Sequence, residues 1–250
     1  MNDVGEHNRE IHANIANWKR KPLLRSIYRG FHESIALELA TQVPGAVVEL
    51  GSGIANIAEV IPNCIRTDLF PNPWIDQVEN AYSLSFPDGG VSNLILFDVF
   101  HHLRYPGTAL REFRRALAPG GRVILFEPCV SLLGRVVYGL LHREPLGLSK
   151  PIQWQAPTGW KPTDVDYYAA QGNASRIFLD REIGIEDQGW SLVRVKRLSS
   201  VSYVASGGYS QPQLYPTRAL PAMRRLDALL DGLPWAFATR LLVVVEKTTA

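Results

Sequence analysis

The chain has 250 residues, 46% hydrophobic and 20% charged, which is enough for one large α/β core. Its formal net charge is +2 and its Lys and Arg are spread along the chain, which argues against nucleic acid as a partner. No apolar run approaches the ~20 residues of a membrane span, and Cys64 and Cys129 form no CxxC or Cys/His cluster, so reduced thiols and no metal site are expected.

Residues 1–18 are polar and lack a signal-peptide core, so partial disorder and a cytoplasmic location are expected. A helix is predicted over 22–41, because Pro22 suits a first turn and Leu24, Ile27, Tyr28, Phe31, Ile35 and Leu39 recur at helical spacing. The cluster Lys19, Arg20, Lys21, Arg25 and Arg29 reads either as a solvated face or as a contact for an anionic substrate.

The stretch VVELGSGIA, residues 47–55, reads as a first parallel strand and the turn after it. Gly51 and Gly53 let the chain turn sharply and let a ligand lie against bare backbone. Glu49 puts a carboxylate at the carboxyl edge of the sheet, where such folds bind ligands. A dinucleotide fingerprint wants a third glycine where Asn56 stands, and Glu49 would repel a pyrophosphate; both oppose an NAD-dependent enzyme. A cationic, nucleotide-like ligand is preferred.

Residues 56–61 make a short helix stopped by Pro62, and 64–70 a second strand ending in Asp68. An acid there is placed to accept hydrogen bonds from ribose hydroxyls, or else to cap the turn before Pro71. Residues 74–90 hold a third strand and a loop. Residues 91–103 hold a buried fourth strand, marked by the run Leu94 to Phe97 and closed by Asp98. His101 and His102 follow; an imidazole titrates near neutrality, so either serves as a general base or simply packs in the loop. Ala109, Leu110, Phe113, Ala116 and Leu117 form the stripe of the next helix, and LAPGGRVILFEP turns it into strand five.

Leu132, Leu133, Val136, Val137, Leu140 and Leu141 make an amphipathic helix, read as packed on the domain, as a lid, or as a membrane-surface patch. His142 and Glu144 follow, but no second ligand stands at helical spacing from His142. The aromatic-rich stretch with Trp154, Trp160, Tyr167 and Tyr168 is expected to select the substrate. A short helix is predicted over 176–182, a strand over 190–205, a helix using Met223, Leu226, Leu229 and Leu230, and a last strand over 240–247.

The pattern E-x-G-S-G at Glu49–Gly53, with Asp68, Asp98 and the A-P-G-G turn, resembles the class I S-adenosylmethionine-dependent methyltransferases, and residues 47–128 resemble their small-molecule type 11 branch. The sequence departs from that pattern at Ala55, where the family has a third glycine, at Asn80, where it has an acid, and at Ser85, where it has a proline. The resemblance implies a Rossmann-like seven-stranded, mostly parallel sheet with an antiparallel last strand and helices on both faces. Lid-like insertions follow strand five and separate strands six and seven.

It implies S-adenosyl-L-methionine as cofactor, held by Glu49, Gly51, Ser52, Gly53, Asp68, Leu69, Asn80, Ala81, Tyr82, Asp98 and Val99, with His102 as the catalytic base. The single domain divides into a capping helix at 22–41, in which Tyr28 and Phe31 close over the cofactor together with Trp18 just before it, or else pack on the sheet. A cofactor core at 47–128, a substrate-selecting insertion at 129–189 and C-terminal strands with a helical insertion at 190–250 complete it. The implied reaction is methyl transfer to an oxygen, or less readily a nitrogen or carbon, of a small molecule, with no nucleic acid and no stable membrane insertion. A non-catalytic binding module and an RNA methyltransferase are the alternatives.

Overall fold

The computed structural model describes residues 4–140 and 144–248; Leu141 and His142 lie outside them. Seven strands form one sheet in the order β3-β2-β1-β4-β5-β7-β6. They are β1 (Ala46–Leu50), β2 (Ile65–Asp68), β3 (Gln77–Val78), β4 (Val91–Phe97), β5 (Leu117–Pro128), β6 (Trp190–Ser199) and β7 (Ala238–Lys247). The first five are parallel, and β7 runs antiparallel to both of its neighbours. This is the expected architecture.

The two faces of the sheet are read directly from the strand alternation. Val48, Leu50, Leu94, Leu96, Val123 and Leu125 point to one side, where α3 (Pro106–Ala116) and α5 (Asn173–Phe178) cover them with Leu110, Phe113, Ala174 and Ile177. Ile95, Ile124, Phe126, Leu242 and Val244 point to the other, under Ile35 of α2 (Pro22–Ala36). Both faces are therefore covered, as parallel strands require, and burial of each such aliphatic or aromatic side chain contributes about 1.5–3 kcal/mol.

Several boundaries differ from expectation. The polar N-terminal stretch forms α1 (Val4–Arg20), held by contacts remote in sequence: Ile11 is buried and Trp18 meets Tyr28 edge-on at 5.6 Å. Helix α2 stops at Ala36, because the chain turns back toward β1 and the Ala40 N–H donates to Asn93 Oδ1 at 2.8 Å. The predicted strand over 190–205 ends at Ser199 and becomes α6 (Val201–Ser206), anchored where the Ser202 N–H donates to Asp227 Oδ1 at 3.2 Å. The Pro119-Gly120-Gly121 turn lies inside β5, in an irregularity opposite Val91 and Asn93.

The remaining helices are α4 (Leu132–Leu140), α7 (Leu220–Leu230) and α8 (Pro234–Phe237). Among the described residues no helix is long and apolar enough to cross a membrane.

Candidate cofactor and acceptor site

Four parallel strands deliver acids to one edge. Glu49 stands one residue before the end of β1, Asp68 ends β2, Asp98 follows β4 and Glu127 precedes the last residue of β5. All four thus stand at the carboxyl ends of the strands, the ligand-binding edge of such sheets.

Glu49 is 3% exposed and its Oε2 has no hydrogen-bond partner among the described residues. Burial raises its pKa to about 7, with the nearby Asp68 charge adding to the effect. Asp68 accepts the Gly53 N–H at 3.0 Å through Oδ2 and the Leu69 N–H at 2.7 Å through Oδ1, so it ties the glycine turn to the end of β2. Ser52 reinforces that tie: its N–H donates to the Thr67 carbonyl at 2.7 Å and its hydroxyl accepts the Thr67 N–H at 3.1 Å.

The turn itself depends on left-handed backbone at Gly51 (φ 70°), Gly53 (φ 53°) and Ala55 (φ 60°). A side chain at Gly51 would meet Val99, whose Cγ2 would stand 2.5 Å from the added Cβ. Val99 therefore packs directly on the turn. Ile11 of α1 closes the other side, 3.6 Å from where a Cβ of Gly53 would lie. Tyr28 stacks on Phe97 at 5.2 Å and Phe31 meets Phe126 at a tilt at 4.8 Å, so α2 packs on the sheet through them.

Asn80 holds its own loop. Its Oδ1 accepts the Tyr82 N–H at 3.0 Å and its Nδ2 donates to the Pro162 carbonyl at 2.8 Å. Tyr82 is buried; its hydroxyl accepts the Tyr105 N–H at 3.1 Å, and Trp160 packs on its edge at 5.0 Å. The aromatic insertion thus folds back beside Asn80, Ala81 and Tyr82. Tyr82, Arg104, Tyr105 and Trp160 line a cavity of about 10 Å³ with His102, room for one water molecule.

The two histidines have different environments. His101 is 3% exposed, with Nδ1 2.6 Å from Glu127 Oε2 and Nε2 3.3 Å from Glu144 Oε2. Burial alone would lower its pKa, but the Glu127 charge and the hydrogen bonds to both carboxylates prevail and raise it to about 10. His102 is 35% exposed; its Nδ1 lies 2.9 Å from the Tyr168 carbonyl and its Nε2 3.6 Å from Glu144 Oε1. Burial, and then the neighbouring His101, lower its pKa. Burial opposes ionisation of Glu144, yet the His101 hydrogen bond and both histidine charges hold its carboxyl well below the usual range.

Glu127 and Glu144 were not singled out as site residues from the sequence. Glu127 carried a usable signal, an acid closing a parallel strand like Glu49 and Asp68. It accepts the Val99 and Phe100 N–H groups at 2.9 and 2.7 Å and so fixes the turn that presents both histidines. Glu144 carried none, because its place depends on the insertion: the Gln171 N–H donates to the Pro145 carbonyl at 3.1 Å, and the Ala170 N–H to the His101 carbonyl at 3.0 Å.

Residues 48–125 match the family described as Methyltransferase domain, type 11. Two solved structures share the fold. One is a chain of the complex between the Haloferax volcanii Trm112 methyltransferase activator and a methyltransferase (TM-score 0.56, 14% identity, 99% of each chain covered). The other is a Thermotoga maritima S-adenosylmethionine-dependent methyltransferase described as a possible histamine N-methyltransferase (TM-score 0.53, 15% identity, 96% of this chain and 99% of that one). No curated protein matches the sequence. Residues 48–125 thus match a methyltransferase domain, and the chain around them shares its fold with a solved S-adenosylmethionine-dependent methyltransferase.

Proposed function

We propose that the chain transfers a methyl group to an oxygen of a small molecule, and that His102 accepts the hydrogen that the acceptor hydroxyl gives up. The observation that carries this reading is the His102 ring. A carbonyl can only accept, so the contact with Tyr168 puts the ring hydrogen on Nδ1 and leaves a lone pair on Nε2, which faces Glu144 Oε1 at 3.6 Å with space for an acceptor hydroxyl to approach as its donor. The side chain is half-buried and four residues past the end-of-strand acid Asp98.

The residues at the strand edge suit the cofactor. The buried Glu49 carboxylate, with one oxygen unpartnered beside a glycine turn, suits a ligand bearing positive charge. Asp68, at the end of β2, suits the ribose hydroxyls. Gly51, Ser52, Gly53 and Leu69 line the turn between these two acids, and Asn80, Ala81 and Tyr82 form the next loop along the edge, the proposed adenine side. Asp98 and Val99 complete the edge toward His102. When bound, S-adenosylmethionine supplies an electrophilic methyl group on a sulfonium. The chain contributes position, and holding two reactants at contact distance can by itself account for most of the rate.

Residues 129–189, with Trp160 and Tyr168 beside His102, are proposed to select the acceptor. An RNA acceptor is less well supported, because the basic cluster is partly engaged in the fold. Lys21 Nζ donates to the Gly208 and Gln211 carbonyls at 2.7 and 2.6 Å, and Arg29 lies 3.5 Å from Glu33.

Incubation with methyl-labelled S-adenosylmethionine and panels of glycosides, phenols, lipid alcohols, amines and RNA tests the proposal. Label is expected in hydroxyl compounds, with turnover reduced about 10²–10⁴-fold in His102→Ala. Label confined to amines or RNA, or an unchanged His102→Ala rate, would overturn it.

A further inference from the structure

The contacts of His101, His102 and Glu144 bring two imidazoles and one carboxylate together. Both imidazoles spend Nδ1 on an acceptor: His101 on the Glu127 carboxylate at 2.6 Å, His102 on the Tyr168 carbonyl at 2.9 Å. Both then turn Nε2 toward the two oxygens of one carboxylate, Glu144. For His102 this sets a ring lone pair against a carboxylate oxygen at 3.6 Å, two acceptors facing each other with no hydrogen between them. His101 Nε2 makes a long hydrogen bond to Glu144 at 3.3 Å, and a cation bound there would take the place of its ring proton, which is released.

We infer that His101 Nε2, His102 Nε2 and the Glu144 carboxylate form a binding site for a divalent transition-metal cation of the zinc class, with one coordination position left open. The geometry suits this ion. Metal–nitrogen and metal–oxygen bonds of about 2.0–2.2 Å at the tetrahedral angle separate ligand atoms by about 3.3–3.5 Å. His101 Nε2 lies 3.3 Å from Glu144 Oε2 and His102 Nε2 lies 3.6 Å from Glu144 Oε1, and one ligand atom from each of the three residues lies within 4.8 Å of the others, so side-chain shifts of about an ångström would bring them to a common ion. Two imidazoles and one carboxylate are a set that zinc-class ions accept, whereas magnesium and calcium prefer oxygen alone.

The surroundings are built in the manner of a metal site. Ligating histidines characteristically donate their other ring hydrogen to a carboxylate or a backbone carbonyl, which fixes the tautomer and aims the lone pair. Glu127 and the Tyr168 carbonyl hold those two places. The third ligand is oriented too, since Gln171 Nε2 donates to Glu144 Oε2 at 2.8 Å and the Tyr167 hydroxyl to Oε1 at 3.1 Å. His102 also borders the small cavity with Tyr82 and Trp160.

A cation and an acceptor hydrogen would use the same His102 lone pair, so the two exclude each other there. The inference concerns binding and does not rest on methyl transfer.

The test is titration of the chelator-treated full chain, free of any added histidine tag, with Zn²⁺ by calorimetry and with Co²⁺ by visible absorption. One equivalent is expected to bind at submicromolar strength, and cobalt to give the intense visible bands of tetrahedral coordination. His102→Ala and Glu144→Gln, both at part-exposed positions, should weaken Zn²⁺ binding at least 100-fold and abolish the cobalt bands. Glu127→Gln should weaken it about 10–100-fold as a positioning change. The inference is overturned if no stoichiometric binding is seen, if cobalt gives only the weak octahedral spectrum, or if the His102 and Glu144 variants bind as the parent does while remaining folded by circular dichroism.

Discussion

Arg240 of β7 and Asp98 at the end of β4 form an ion pair between groups 142 positions apart, inside a cage of aromatic rings. The guanidinium is 2% exposed, lies 4.5 Å from the centroid of Tyr203, and is also within 6 Å of the rings of Phe31, Phe97 and Phe126. Its Nε has no hydrogen-bond partner among the described residues. The pair joins the antiparallel end of the sheet to the edge that carries the site, and it fixes Asp98 at φ 55°, which few residues accept.

The two partners should respond unequally to substitution. Asp98→Asn keeps the shape, the backbone and an amide oxygen for Arg240, but leaves the buried cation without a counter-charge; a loss of about 3–5 kcal/mol is expected. Arg240→Met leaves a carboxylate that is 30% exposed and can be hydrated, so it should cost less. Urea unfolding of both variants checks the ordering, and the reverse ordering would contradict the account.

Gly51→Ala should be among the most damaging single-methyl additions. It demands left-handed backbone from alanine, at about 1–2 kcal/mol, and drives a Cβ to 2.5 Å from Val99. A fall in thermal midpoint is expected, along with weakened cofactor binding, because Val99 must move off the turn. An unchanged midpoint would show that the turn is not as tightly packed as described.

What was legible in the sequence was whatever local chemistry dictates. The run Leu94–Phe97 shows a strand covered on both faces, and the glycines with Glu49 and Asp68 mark the carboxyl edge of the sheet, where such folds bind ligands. Contacts remote in sequence were not legible. Nothing near Val4–Arg20 says that Ile11 will meet Gly53, and the alternation through Val201 and Tyr203 reads as strand until Asp227 claims the Ser202 N–H. The Glu144 position depends in the same way on the pairing of residues 145 and 146 with 171 and 172.

Glu49 should link proton uptake to both stability and binding. Its folded pKa, about 7, lies above the ordinary carboxyl value of 4.5. The folded state therefore holds the proton more tightly than the unfolded state. The stability this contributes is fully present below about 4.5 and is lost as pH rises toward 7, on the order of 3 kcal/mol in all. A cationic ligand favours the ionised carboxylate, so binding should release a proton near pH 6–7. Calorimetry in buffers of different ionisation enthalpy measures that release, which should vanish in Glu49→Gln. Equal release in the variant would assign it to another group.

The acids at the carboxyl edge are proposed to hold the cofactor, and Asp68, which ends β2 beside the glycine turn, is the residue whose loss should be felt first. Calorimetric titration of S-adenosylhomocysteine into the parent and into Asp68→Ala should show affinity weakened by about 1.5–3 kcal/mol, the range for hydrogen bonds to a charged group. Asp68→Asn, which keeps a carbonyl oxygen for the turn, should fall between them, and all three proteins should remain folded at the titration temperature. Equal affinity in the parent and in a folded Asp68→Ala variant would contradict the account and place the cofactor elsewhere on the sheet.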